Sequence, residues 1–148
     1  MNPEQFTEYL HRNIPLTAAL GVTVESCTPD RLRVAAPLAL NRNHHGTAFG
    51  GSLATLAIIG GWSLLHHALT AEGIDTRLVV QHTECDFLEP ALADLAAETR
   101  LPPADEWTRF VAMLRKFRRA RITVETNLYA GERKVVTQRG TFAATSEV

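Results

Sequence analysis

The residues best able to do chemistry stand in one block, Asn41 to Ser52 (NRNHHGTAFGGS), just ahead of an apolar run that continues to Leu69. An imidazole titrates near neutrality and serves as a general base. This makes His44 the candidate base, with Asn43 beside it to hold a water and Thr47 or Thr55 to assist. The first turn of a helix offers free backbone N–H groups and a partial positive charge, and glycine lets a substrate carbonyl approach them closely. Gly50 and Gly51 therefore form a candidate oxyanion hole. Together these parts suit attack of water on an activated carbonyl. Two plainer readings stay open: the glycine pair only turns the chain into the helix, and His44-His45 is an exposed loop. Adjacent histidines rarely share one ion, and no Asp, Glu or Cys stands near them, so no metal is expected. His66-His67 closes the apolar run, where a helix dipole favours cations, and reads as structural.

The apolar run carries no acid before Glu72; its polar side chains are Ser52, Thr55 and Ser63. His82, Glu84 and Asp86 alternate on one face of a later strand, and either meet a partner's helix start or lie in solvent. The run RKFRRAR, Arg115 to Arg121, sets cations between a helix and a strand. Arg118, Arg119 and Arg121 suit the phosphates of a nucleotide-bearing carrier, since arginine pairs with phosphate in bidentate fashion. They equally suit a helix C-terminus decorated with cations. No P-loop, GxSxG elbow or GxGxxG is present, which removes support for nucleotide hydrolysis, α/β-hydrolase chemistry and dinucleotide binding.

These residues need a scaffold. With 148 residues, 45% hydrophobic and 21% charged, the chain is expected to form a single domain over residues 1–148. A net charge of −1 provides no field to recruit nucleic acid or a membrane. Cys27 and Cys85 stand far apart and outside any ligand motif, so reduced, mostly buried thiols in a cytoplasmic protein are expected. The N-terminus has no apolar stretch of a secretory signal. Gly50 to Leu69 is nominally long enough to span a membrane, but it is rich in Gly, Ser and Thr and has no basic flank, so a buried central helix is expected.

Alternation predicts a hairpin over 21–38 and strands at Arg77–Leu88, Ala91–Leu101, 122–128 and Lys134–Ala144. Helical spacing predicts short helices at Pro3–Arg12 and Ala104–Arg115. A single apolar helix must be covered on nearly every side, and a curved antiparallel sheet does so: an α+β domain. Gly60 and Gly61, each costing about 1 kcal/mol in a helix interior, either admit a close neighbour or mark a kink.

This order of elements resembles the hotdog fold. The block Asn41–Ala57 (NRNHHGTAFGGSLATLA) is similar to the opening of the central helix in acyl-CoA thioesterases. Asn43, Gly46, Thr47, Phe49, Gly50 and Gly51, the pair Gly61-Trp62 and the strand end Phe87-Leu88-Glu89-Pro90 resemble the YiiD C-terminal family of thioesterase-like proteins. That resemblance implies an acyl-CoA or acyl-carrier-protein substrate, a homodimer or homotetramer with sites at the subunit interface, and no cofactor. Phe49 and Ser52 join the basic run as candidate substrate contacts, and Trp62 and Trp107 either line an acyl tunnel or sit in the core. One departure stands out. Many hotdog thioesterases carry an acid about two turns into this helix; the matching positions here are Ile58 and Ile59. A non-catalytic acyl-thioester-binding module is therefore the alternative, and a hydratase would need a His–Asp pairing that this region lacks.

Overall fold

The computed structural model describes residues 1–147. In chain order the elements are α1 (Pro3–Asn13), α2 (Pro15–Ala19), β1 (Thr23–Cys27), β2 (Arg31–Ala36), a 3₁₀ turn at Leu38–Leu40, α3 (Gly50–Ala71), β3 (Thr76–Phe87), β4 (Leu95–Arg100), α4 (Ala104–Phe117), β5 (Arg119–Ala130) and β6 (Arg133–Ser146). The strands form one six-stranded sheet in the order β1-β2-β4-β5-β6-β3. Every pairing is antiparallel. β1 and β3 are the two edges. The sheet curves around α3, the hotdog arrangement.

α3 is apolar all round because it is wrapped: Leu53, Leu56, Ala57, Ile59, Leu64, Leu65, Ala68 and Leu69 are buried. It is long and apolar enough to cross a membrane by composition, yet half of its 22 residues are buried inside the fold. Gly60 and Gly61 sit where the sheet comes closest. A methyl on Gly60 would stand 2.9 Å from Thr99 Oγ1, and one on Gly61 would stand 3.0 Å from the Phe142 ring. Their absent side chains thus serve strand approach rather than a kink. The Trp62 indole N–H donates to the Leu78 carbonyl at 2.9 Å and pins α3 to β3.

Two helices close the remaining sides. α1, started by a reciprocal cap between Asn2 and Gln5, buries Phe6 and Leu10 against β1 and the helix. α4 buries Phe110, Val111 and Leu114 with Leu65, Leu69, Ile122 and Phe142. Arg115 donates to the Glu72 carbonyl at 3.1 Å, which ties α4 to the end of α3.

Three details depart from the sequence reading. α2 is a five-residue helix with Pro15 at its first position, too short to show a period. Residues 91–94 are not strand: the Ala91 carbonyl accepts from the Ala48 N–H, and Asp94 Oδ1 accepts from the Leu38 N–H. The segment therefore serves the loop before α3 rather than the ladder. The basic run also leaves almost no gap between its helix and its strand. Arg115 and Lys116 end α4, Arg118 caps it at φ 61°, and Arg119 and Arg121 already lie in β5.

Candidate active site

α3 begins without a side-chain cap. Phe49 is its N-cap, no side chain accepts from the first turn, and that turn holds no acid. The first bond of this helix is Leu53 N–H to the Phe49 carbonyl at 3.1 Å. The N–H groups of Gly50, Gly51 and Ser52 meet no acceptor among the described residues. Orphan donors at the positive end of the dipole are a ready anion site. Two rings flank them. Phe49 lies over Gly51, where a methyl would run into the ring, and Phe87 Cε1 lies 3.9 Å from where a methyl on Gly50 would be. Phe49 is 58% and Phe87 54% exposed, so an apolar mouth surrounds the helix start.

The polar residues ahead of the helix build the loop that delivers it. Buried Asn41 donates from Nδ2 to the carbonyls of Leu20 and Pro37, at 2.9 and 2.8 Å. Asn43 Oδ1 accepts the N–H groups of His45 and Thr47, at 2.9 and 3.2 Å. Its Nδ2 donates to Thr47 Oγ1 at 2.9 Å. Asn43 and Thr47 are thus brought together, with Gly46 at φ 82° closing the turn between them. The carboxamide of Asn43 is largely spent within this turn. His44 and His45 are exposed, with ring centroids 3.8 Å apart.

From its start α3 runs along β3 as far as the Trp62–Leu78 bond. Ser52, Thr55, Ile58, Trp62 and His66 are half-buried and recur at helical spacing, forming the stripe that the chain's own sheet leaves partly uncovered. Ile59 faces the core at 5% exposure, so of the two isoleucines only Ile58 borders this groove. Residues opposite each other in a ladder share a face. Thr83, Cys85 and Phe87 pair with Gly140, Gln138 and Val136 and so face α3. His82, Glu84 and Asp86 pair with Thr141, Arg139 and Thr137, so they lie on the outer face, away from the helix start of their own chain. Sequence reasoning missed buried Gln138, whose signal was a carboxamide on the otherwise apolar face of β6.

The basic run is not at the helix start. Arg121 is level with Ala143 and Val79 in the sheet, whereas Gly50 lies against Phe87. That separation along β3 is roughly 25 Å. Arg118 and Arg119 have no carboxylate in salt-bridge range among the described residues, and Arg121 donates to Gln81 Oε1 at 3.3 Å.

The imidazoles at the helix end are half-buried. Burial holds His66 below the usual histidine range, helped by charge on His67 and opposed by Asp75. His67 is lowered by its own burial and by the N-terminal amine nearby. Burial pushes the Cys27 thiol up. Cys27 and Cys85 are free and sit on the two opposite edge strands. A cavity of about 530 Å³ lies elsewhere, on the outer face, among Glu98, Arg100, Glu106, Glu125, Tyr129 and Arg139. It borders the start of α4, whose first turn carries Asp105 and Glu106, so the groove at the acid-free start of α3 is the better chemical site despite its openness.

Known proteins share this architecture. A protein of unknown function from Chlorobaculum tepidum superposes with a TM-score of 0.92 at 24% identity, over 99% of this chain and 98% of that one. A thioesterase-type protein from Shewanella oneidensis gives 0.83 at 23% identity, over 97% and 96% of the two chains. One from Pseudomonas aeruginosa, described as a probable thioesterase, gives 0.82 at 23%, over 98% and 97%. At these identities the likeness speaks for the fold. The family described as "Putative thioesterase (yiiD_Cterm)" matches residues 3–146. The chain belongs to this YiiD C-terminal thioesterase-type family.

Proposed function

We propose that the protein hydrolyses an acyl thioester of coenzyme A or of acyl carrier protein. The thioester carbonyl sits at the start of α3 and its oxygen accepts from the N–H groups of Gly50 and Gly51. The observation that carries this reading is the uncapped first turn, its donors unpaired and flanked by Phe49 and Phe87. One donor to a developing oxyanion is worth about 3 kcal/mol. Ser52 and Thr55 line the first two turns, and the Asn43–Thr47 turn fixes the loop that carries His44, the assigned base.

In this reading the enzyme is at least a dimer joined through β3. That strand is an unpaired edge of 12 residues, and Val79, Val80, Phe87 and Leu88 on or beside it are exposed. A long edge with apolar side chains is a template for another strand. Antiparallel pairing about a two-fold axis reverses the partner's strand. It therefore carries the partner's Arg118, Arg119 and Arg121 toward this chain's helix start, where they meet the phosphates of the carrier.

Thiol release from acetyl-, octanoyl-, benzoyl- and palmitoyl-coenzyme A, corrected for the free cysteines, tests the hydrolase reading. Turnover on any of them supports it. Saturable binding without turnover supports the acyl-thioester-binding module, the reading that Ile58 and Ile59 keep open.

A further inference from the structure

One face of α3 leads away from the helix start. Gly51, Thr55, Ile58 and Trp62 recur at helical spacing and so share that face. Gly51 is exposed and the other three are half-buried. Opposite them runs the inner face of β3. Val80, Thr83, Cys85 and Phe87 pair with Phe142, Gly140, Gln138 and Val136 and so face the helix, yet Val80, Thr83 and Phe87 are exposed. The two rows therefore border an open furrow. At one end Phe87 lies beside Gly50. At the other, Val80 pairs with Phe142, whose ring meets Gly61, and Ile58 and Trp62 pack against the cluster that holds Phe142.

None of these side chains is charged. Thr55, Thr83 and Cys85 stand between the two ends, and Ile58, Val80 and Trp62 close the far one. Such a lining suits the hydrocarbon of an acyl group and not the phosphates of its carrier. Trp62 is fixed where the furrow closes. Its indole N–H donates to the Leu78 carbonyl, and its ring stacks on His66, which stacks in turn on Tyr9. The indole cannot swing aside without losing both the hydrogen bond and the stack.

Helix geometry gives the length of the furrow. Trp62 stands eleven residues beyond Gly51, roughly 16 Å along the axis. A helical side chain covers the turn N-terminal to its own Cα, which brings the indole to roughly 11 Å from Gly51. With carbon–carbon bonds of about 1.5 Å in a zigzag, a chain of about eight to ten carbons spans that distance from a carbonyl at Gly51. We infer that the furrow holds the acyl chain and that Trp62 sets its length, so that straight medium-chain acyl groups are the substrate class. The inference rests on the thioesterase reading above. Shorter chains leave the apolar end unfilled, and longer ones meet the indole.

The test reads kcat/KM by thiol release for the coenzyme A thioesters of the straight saturated series from butanoyl to palmitoyl. In the wild type it should rise about two- to fourfold per methylene up to octanoyl or decanoyl. It should fall about tenfold or more by palmitoyl, mostly through KM. Trp62→Leu moves the end wall to His66, one turn on, and should shift the optimum longer by about four methylenes. Ile58→Phe brings a ring one turn nearer Gly51 and should shift the optimum shorter by about as much. Position 58 borders the open furrow, so this variant folds even if Trp62→Leu does not. An optimum unmoved in Ile58→Phe, or a wild-type profile flat from octanoyl to palmitoyl, would overturn the inference and leave the hydrolase reading standing. A wild type that releases no thiol from any member overturns the hydrolase reading instead. Calorimetric binding of the same series then decides the inference: a peak at octanoyl or decanoyl keeps it, and a flat series ends it.

Discussion

The imidazole of His66 lies parallel to the indole of Trp62, with ring centroids 4.8 Å apart and planes at 8°. Tyr9 stacks on its other side at 5.2 Å, so His66 joins α1 to α3 in a three-ring column. Burial lowers its pKa, as it does for His67. The folded state therefore binds protons less readily than the unfolded chain, where histidine titrates near 6.5. This contribution to stability is intact above 6.5 and is lost as pH falls from there through the lowered folded values. Thermal melts should give a lower Tm at about pH 5.5 than at about pH 7.5, and His66→Phe should shrink that difference while keeping the stack. An unchanged difference in His66→Phe would assign the pH dependence to other groups.

The two isoleucines that stand where the resemblance expects an acid should respond in opposite ways. Ile59→Asp places a carboxylate in the core without a partner and costs several kcal/mol, so the variant should fail to fold. Ile58→Asp borders the groove and should fold with a modest loss of Tm. Circular dichroism melts of the pair check this. Thiol release by Ile58→Asp then shows whether an acid at that point adds a base to the site.

Damage at the helix start and at the loop should separate kinetically. Gly51→Val forces the Phe49 ring to move and fills the space over the donors, so KM should rise and kcat should fall together. His44→Ala alters an exposed ring and leaves the groove intact. If His44 is the base, kcat falls about 10²-fold with KM kept. Full turnover in His44→Ala removes the base assignment.

Subunit mixing tests the trans placement of the basic run. Gly51→Val damages one component of each site, and Arg118→Glu with Arg121→Glu damages the other. Random reassociation makes half the dimers mixed, each with one intact site if the arginines serve the partner's helix. Activity should then recover to about a quarter of wild type. No recovery in a mixture shown to exchange subunits would confine the arginines to their own chain or to no site at all.

Much of the scaffold was legible because its signals are local. The run from Gly50 to Leu69 is apolar on all sides, so it had to be wrapped, and residues 31–36 and 122–128 alternate with the period of a strand. The start of β4 was misplaced because Ala91 and Leu92 are apolar yet serve the loop of another element. No local pattern records a hydrogen bond from Ala48 to Ala91.

By itself the sequence determined a helix that begins at a glycine pair, carries no acid and needs a sheet around it. Those properties follow from residue type and period within a few turns. Only the tertiary structure decided which face each alternating residue takes. It set Glu84 and Asp86 on the outer surface with Arg139 and Thr137, moved the basic run roughly 25 Å from Gly50 along its own chain, and buried Gln138 on the inner face of β6. In a sheet a side chain's face depends on register, and register is set by pairing between strands far apart in sequence. A period of two says that residues alternate; it does not say which alternate looks at the helix.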